Sequence, residues 1–404
     1  MMRRHILLPI VFVAVALLGA LVVALATPST TAFRLSTSTD LVQLPEIVIP
    51  HLGLQALAGA LVTVSVANLI IRARERIAPR WLGATYWVLL VLVLLCWGGA
   101  GQAIPVPGLL FGAIALSIPI VFGALGGVIS ERVGVVNIAI EGQLLAGAFT
   151  GAIVASITQQ PIAGLVAAML AGAGVSALLG VFALRYRVDQ VIVGVVLNVL
   201  VVGLTSFAFS TILTRNTALN TPATFDRYPI PVLSEIPVIG PVLFRQSFIG
   251  YLMFITVLAV AVLMYRTRWG LRMRAVGEHP AAAATVGIHV NRTRTLNLLL
   301  AGVIAGAGGA YFSLAAVGSF GKEMSAGAGF IALAAVIFGG WDPIRVALVA
   351  LLFGFTTSLQ STLGIVGSAI PSEFLLMLPY VVTLFAVATA SSRVRGPAAL
   401  GQNL

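Results

Sequence analysis

The sequence predicts an all-α, polytopic transmembrane helical bundle of about 10–12 spans. Three observations predict it. Of the 404 residues, 59% are hydrophobic. Only 9% are charged, against about 25% in soluble domains. Apolar runs close to the ~20 residues that a bilayer crossing needs recur along the chain.

The first run, 6–26, follows Arg3 and Arg4. With Ala24-Leu25-Ala26 at its end, the stretch looks like a cleavable signal. Its apolar part is longer than the 7–15 residues usual for one, so a retained anchor is favoured. Runs at 52–71, 85–104, 109–129, 138–158, 162–184, 191–213, 248–265 and 296–316 predict further spans. The run at 326–338 is too short to cross comfortably, and 344–363 and 372–391 complete the series. The loop at about 214–247 holds Pro222, Pro229, Pro231, Pro237 and Pro241, which predicts an irregular cap. Small residues from Ala301 to Ala310 predict close helix packing.

Charge sets the expected direction. With the N-terminus inside and the spans alternating, 18 of the 23 basic residues fall on the cytoplasmic side. The outer side keeps Arg34, Arg215, Arg227, Arg245 and Lys322. This positive-inside bias predicts a multi-pass membrane protein with both termini in the cytoplasm. The net charge of +11 is thus a topology signal, not a nucleic-acid footprint.

Catalytic chemistry has no foothold. Cys96 is the single cysteine and Lys322 the single lysine, so neither a disulfide nor a GxxxxGK[ST] phosphate loop is available. His5, His51, His279 and His289 are scattered, and neither HExxH nor GxSxG occurs. No metal site and no catalytic residue is expected. Glu131 adjoins Arg132 and is expected to be solvated, and Glu373 to be interfacial. Glu141 is the acid expected at membrane depth, four residues from Asn137, a spacing that puts both on one face of a helix. They read either as a helix-start cluster bonding backbone amides or as part of a translocation path. Asn198, deep in the apolar run 191–202, reads as path lining or as a hydrogen bond between helices.

The loop from Arg266 to Arg294 carries six arginines. Within it Pro280–Val286 predicts a short helix: Pro280 suits the first turn, the alanines propagate it, and Gly287 suits the cap. Glu278 precedes it, near its positive end. An alanine-faced helix of this size buries little alone and suits insertion into a partner's groove. The other reading is a turn resting on anionic headgroups.

Four strings carry a resemblance. SERVGVVNIAIEGQLLAGAF (Ser130–Phe149), DQVIVGVVLN (Asp189–Asn198), GLRMRAVGEHPAAAATVGI (Gly270–Ile288) and IALAAVIFGGWDPIRVALVALLFG (Ile331–Gly354) lie in that order. Together they resemble permease subunits of bacterial ABC importers of the branched-chain amino acid and simple-sugar superfamily, most closely its nucleoside branch. The resemblance implies a type II-like ABC importer permease with a core over 105–395 and a cytoplasmic coupling loop at 266–295. Residues 1–104 would be extra spans. It implies that Glu278, Pro280, Ala282, Ala283 and Gly287 form a coupling helix docking on a cytoplasmic ABC ATPase, which binds the ATP and Mg. Asn137, Glu141 and Asn198 would lie in or near the substrate path. The implied partners are a second, related permease subunit, an extracytoplasmic substrate-binding lipoprotein and the lipid bilayer, with no cofactor on this chain and no nucleic acid. A simple sugar or a branched-chain amino acid is the alternative substrate. An ion-coupled secondary transporter is the alternative class, with Glu141 as its candidate coupling acid.

Overall fold

The computed structural model describes residues 4–37, 40, 42–74, 78–367, 370–371, 373–381 and 395–402. Among them, nine helices are long and apolar enough to cross a membrane. The chain forms two compact units. One comprises Met1–Leu109, Glu235–Pro241 and Leu359–Leu378; the other comprises Leu110–Ser234, Val242–Ser358 and Pro379–Leu404.

In the first unit, helices α1 (Arg4–Leu25), α2 (His51–Ala73) and α3 (Arg80–Gly98) pack together. Phe12 of α1 stacks on Tyr86 of α3 with ring centroids 4.4 Å apart. Strands β1 (Thr31–Arg34), β2 (Ile47–Ile49) and β3 (Ala103–Pro105) form a small sheet in the order β2-β1-β3. β1 pairs antiparallel with β2, setting Ala32 opposite Val48, and parallel with β3, setting Phe33 opposite Ile104. This sheet departs from the all-helical expectation for these loops. Its strands of three or four residues are too short to show alternation. The third expected span, 85–104, is shifted toward the N-terminus, to Arg80–Gly98. α3 stops at Gly98, and Gly101, at φ +78°, turns the chain into β3.

The remaining helices follow in order: α4 (Val106–Arg132), α5 (Ile140–Thr158), α6 (Pro161–Gly180) and α7 (Gln190–Ala208). Next come α8 (Ile239–Leu243), α9 (Phe248–Arg266), α10 (Arg268–Glu278), α11 (Pro280–Thr285), α12 (Val290–Tyr311), α13 (Ala328–Phe338) and α14 (Pro343–Val366). π-Helical turns extend α6 to Arg185, α7 to Leu213 and α12 to Ala316. Pieces of the proline-rich loop, including the strand pair β4 (Arg227–Pro229) and β5 (Arg245–Ser247), form the expected irregular cap. Residues 373–381 are helical, and the rest of the last expected span lies outside the described residues, as do Arg3, Arg76 and Arg393.

The second unit is built around α12, which packs on both α5 and α6. Glycine makes this possible. A Cβ on Gly172 of α6 would overlap the carbonyl of Gly302, and one on Gly306 would overlap the carbonyl of Ala168. Lipid tails are as apolar as the helices, so association depends on such close backbone approach rather than on expulsion of water.

Candidate functional site

Between α4 and α5 the backbone leaves the helical path. Residues 133–139 are irregular, Gly134 adopts φ +87°, and Val133, Val135, Asn137 and Ala139 are fully buried. Irregular backbone surrounded by apolar helices needs hydrogen-bond partners, because no water is there to supply them.

α7 supplies several. Gln190, Gly194 and Asn198 recur every four residues and so share one face. The Gln190 Oε1 accepts from the Val136 backbone N–H at 2.7 Å. Asn198 Oδ1 accepts from the Gly142 N–H at 2.8 Å, and Asn198 Nδ2 donates to the Ile138 carbonyl at 2.8 Å. Gly194 keeps the stripe flat where Ile138 crosses, since a Cβ there would come within 2.9 Å of the Ile138 Cβ. Asn198 thereby ties α7 both to the irregular segment and to the first turn of α5.

Asn137 points elsewhere. Its Nδ2 donates to Gln143 Oε1 at 3.3 Å, and Gln143 Nε2 returns a bond to Asn137 Oδ1 at 3.0 Å. Gln143 Nε2 also reaches Ser176 Oγ of α6 at 2.9 Å. Gln143 and Ser176 are absent from the sequence reading. Nothing in their neighbours sets them apart, and Ser176 joins only through tertiary packing.

Glu141 has a third destination. Its Oε1 accepts from Ser325 Oγ at 2.7 Å and from the Gly327 N–H at 2.9 Å, and its Oε2 accepts from the Gly329 N–H at 2.6 Å. The carboxylate thereby caps α13, the short span, at its positive end. Asn137 and Glu141 do not share a helix face as expected. α5 begins only at Ile140, so Asn137 lies before the helix.

Glu131 corrects a second expectation. It is 3% exposed, not solvated. Its Oε2 accepts from the Trp341 indole Nε1 at 2.6 Å, and the neighbouring Arg132 Nε donates to the Trp341 carbonyl at 3.1 Å. Trp341 belongs to the turn Gly339–Asp342. Asp342 Oδ1 then accepts from the N–H groups of Ile344 and Arg345 at the start of α14.

In the Arg266–Arg294 loop two helices meet at His279. α11 runs from Pro280 to Thr285 and Val286 caps it, one residue earlier than expected; Gly287 leaves it at φ +83°. Pro280 and Ala283 face inward and are buried, whereas Ala281, Ala282 and Ala284 are exposed, as are Glu278 and Gly287. Two open clefts of about 890 and 580 Å³ adjoin the segment. Arg187, Arg272, His289 and Arg292 line them, and among the described residues no acid does.

Residues 109–387 match the family model described as the permease component of the branched-chain amino acid transport system. The chain belongs to this permease family. The nucleoside ABC transporter permease NupC of Lactococcus lactis is 38% identical over 296 residues, covering 71% of this chain and 93% of its own. The guanosine ABC transporter permease NupQ of Bacillus subtilis is 37% identical, covering 70% and 92%. A putative glucose ABC transporter permease, TsgC13 of Haloferax volcanii, is 35% identical over 63% and 77%. The same two bacteria hold more distant matches, NupB at 24% and NupP at 27% identity. No solved structure matches the chain. The permease is thus a multi-pass membrane protein whose matched region takes in α5 to α14 and nearly all of α4. The polar hinge at 133–142 and the Arg266–Arg294 segment both lie inside it.

Proposed function

We propose that the permease is the membrane subunit of an ATP-driven nucleoside importer and that a separate ATPase powers it. The observation that carries this is the match, at 37–38% identity and over 92–93% of their lengths, to permeases named for nucleoside and guanosine transport. An external lipoprotein receptor delivers the nucleoside. This chain and a related second permease form the path, as the NupB/NupC and NupP/NupQ pairs suggest. Both termini and the Arg266–Arg294 segment lie in the cytoplasm, where the basic residues collect. Glu278, Pro280, Ala282, Ala283 and Gly287 form the coupling element. Ala282 makes the contact, and Pro280 and Ala283 anchor it from behind. Residues 1–104 are spans added before the core.

Buried amides suit an uncharged substrate rich in hydroxyl and base-edge groups. Here, however, Asn137, Glu141 and Asn198 are engaged with the chain itself, so their part in the path is to hold the broken backbone that shapes it. This also weighs against an ion-coupled transporter. Both oxygens of Glu141, its candidate coupling acid, are occupied by three fixed donors.

The test is uptake of guanosine and of glucose by proteoliposomes holding the permease pair, the receptor and the ATPase. ATP-dependent uptake of guanosine over glucose is expected. Glucose uptake instead would establish the sugar reading that TsgC13 favours. Full-rate uptake under an ion gradient, without ATPase, would overturn the class.

A further inference from the structure

Arg294, on the first turns of α12, is 1% exposed. Its Nε donates to the Val133 carbonyl at 3.1 Å and its Nη1 to the Gln402 carbonyl at 2.9 Å; Nη2 has no partner among the described residues. Burying a guanidinium against neutral carbonyls is costly, and a packed apolar side chain would serve stability at least as well.

What Arg294 joins gives it a use. The segment 395–402 is strapped across two parts of the site. The Ala399 N–H donates to the Gly277 carbonyl at 2.9 Å, and the Gly401 N–H donates to the Gly134 carbonyl at 3.1 Å. Gly277 is three residues before Pro280, and Gly134 is three residues before Asn137. At Gly134 a Cβ would come within 2.8 Å of the Ala399 carbonyl and 2.9 Å of Arg294 Nη2, and at Gly277 it would overlap the Arg132 carbonyl. The end of α10, the hinge after α4 and the strap therefore touch backbone to backbone, with Arg294 pinning the strap to the hinge.

We propose that Arg294 and the strap 395–402 are positioning elements that carry displacement of α11 to the hinge at 133–137, so that the nucleotide cycle moves the path. The proposal rests on α11 being the coupling element. A joint without slack passes a shift from one side to the other, because packed interfaces switch between discrete arrangements rather than deform.

The test uses the full complex in proteoliposomes and measures guanosine moved per ATP hydrolysed, alongside ATPase co-purification. The variants are Arg294→Met, Arg294→Lys and replacement of 397–402 by a Gly-Ser sequence of equal length. The expected result is normal ATPase binding and hydrolysis with guanosine per ATP down about tenfold in Arg294→Met and in the strap replacement. Arg294→Lys should recover part of the ratio. A ratio within twofold of the unaltered complex, or transport and hydrolysis falling in proportion, would overturn the proposal. So would failure of the strap replacement to assemble, since that marks a purely structural part. If the unaltered permease never binds the ATPase, the coupling reading of α11 fails first, which is a distinct outcome.

Discussion

The Glu141 carboxylate accepts the backbone N–H of Gly329 at 2.6 Å, across 188 residues of sequence. α13 has 11 residues, about 16 Å of helix, which falls short of a bilayer of ~30 Å. Its first N–H groups have no partner within the helix. The carboxylate of α5 takes two of them and sets a negative charge at the positive helix end. Position 329 admits only glycine, because a Cβ would overlap the Glu141 backbone.

Glu141→Gln should therefore loosen α13. An amide keeps one acceptor but turns an NH2 toward an N–H donor, and leaving such a buried group unpaired costs about 1–3 kcal/mol. The expected result is a lower melting temperature of the detergent-purified permease and reduced ATP-driven uptake. Unchanged melting with lost uptake would instead place Glu141 in direct contact with what moves.

Asn198→Leu removes two of the three bonds described between α7 and residues 133–142, and orphans the Gly142 N–H and the Ile138 carbonyl. At about 1–3 kcal/mol for each unpaired group, the expected outcome is loss of folded protein by size-exclusion chromatography. Gly194→Val should act in the same direction by pushing Ile138 away. Normal folding of Asn198→Leu with selective loss of uptake would favour the path-lining reading.

How legible this was differs by residue. Most expected spans coincide with helices to within a few residues, because apolar runs bounded by charge or glycine are a one-dimensional signal. The short helix at Pro280 and its exit at Gly287 are also local signals, and they appear where the sequence places them. Asn198 was visible because an amide in an apolar run is conspicuous, yet its partners at 138 and 142 were not. The cap on α13 was beyond reach, since Ser325, Gly327 and Gly329 meet Glu141 only after folding. Glu131 misled because an adjacent arginine suggests solvent, whereas the Trp341 indole, 210 residues away, is what it binds.

Two glycines of α6 give a controlled comparison of packing. Gly172→Ala should disrupt the α6–α12 contact, because its Cβ meets backbone that cannot rotate away. Gly174→Ala meets nothing within 4 Å and should be neutral or stabilising by up to ~1 kcal/mol through helix propensity. Thermal unfolding of the two variants in detergent checks this. Equal behaviour would remove close approach of α6 and α12 as the organising contact of the unit.

The sharpest separation is between neighbours on α11. Ala282 is exposed and Ala283 is 4% exposed. Ala282→Glu adds bulk and charge only to the outward face, so membrane insertion and melting should be unchanged while the ATPase no longer co-purifies. Ala283→Leu forces extra methylenes inward at about 1–3 kcal/mol, so melting should fall before binding is affected. Docking by the outward face requires this order of effects. If Ala282→Glu binds and stimulates the ATPase normally, α11 does not enter a groove by that face, and the exposed alanines need another explanation.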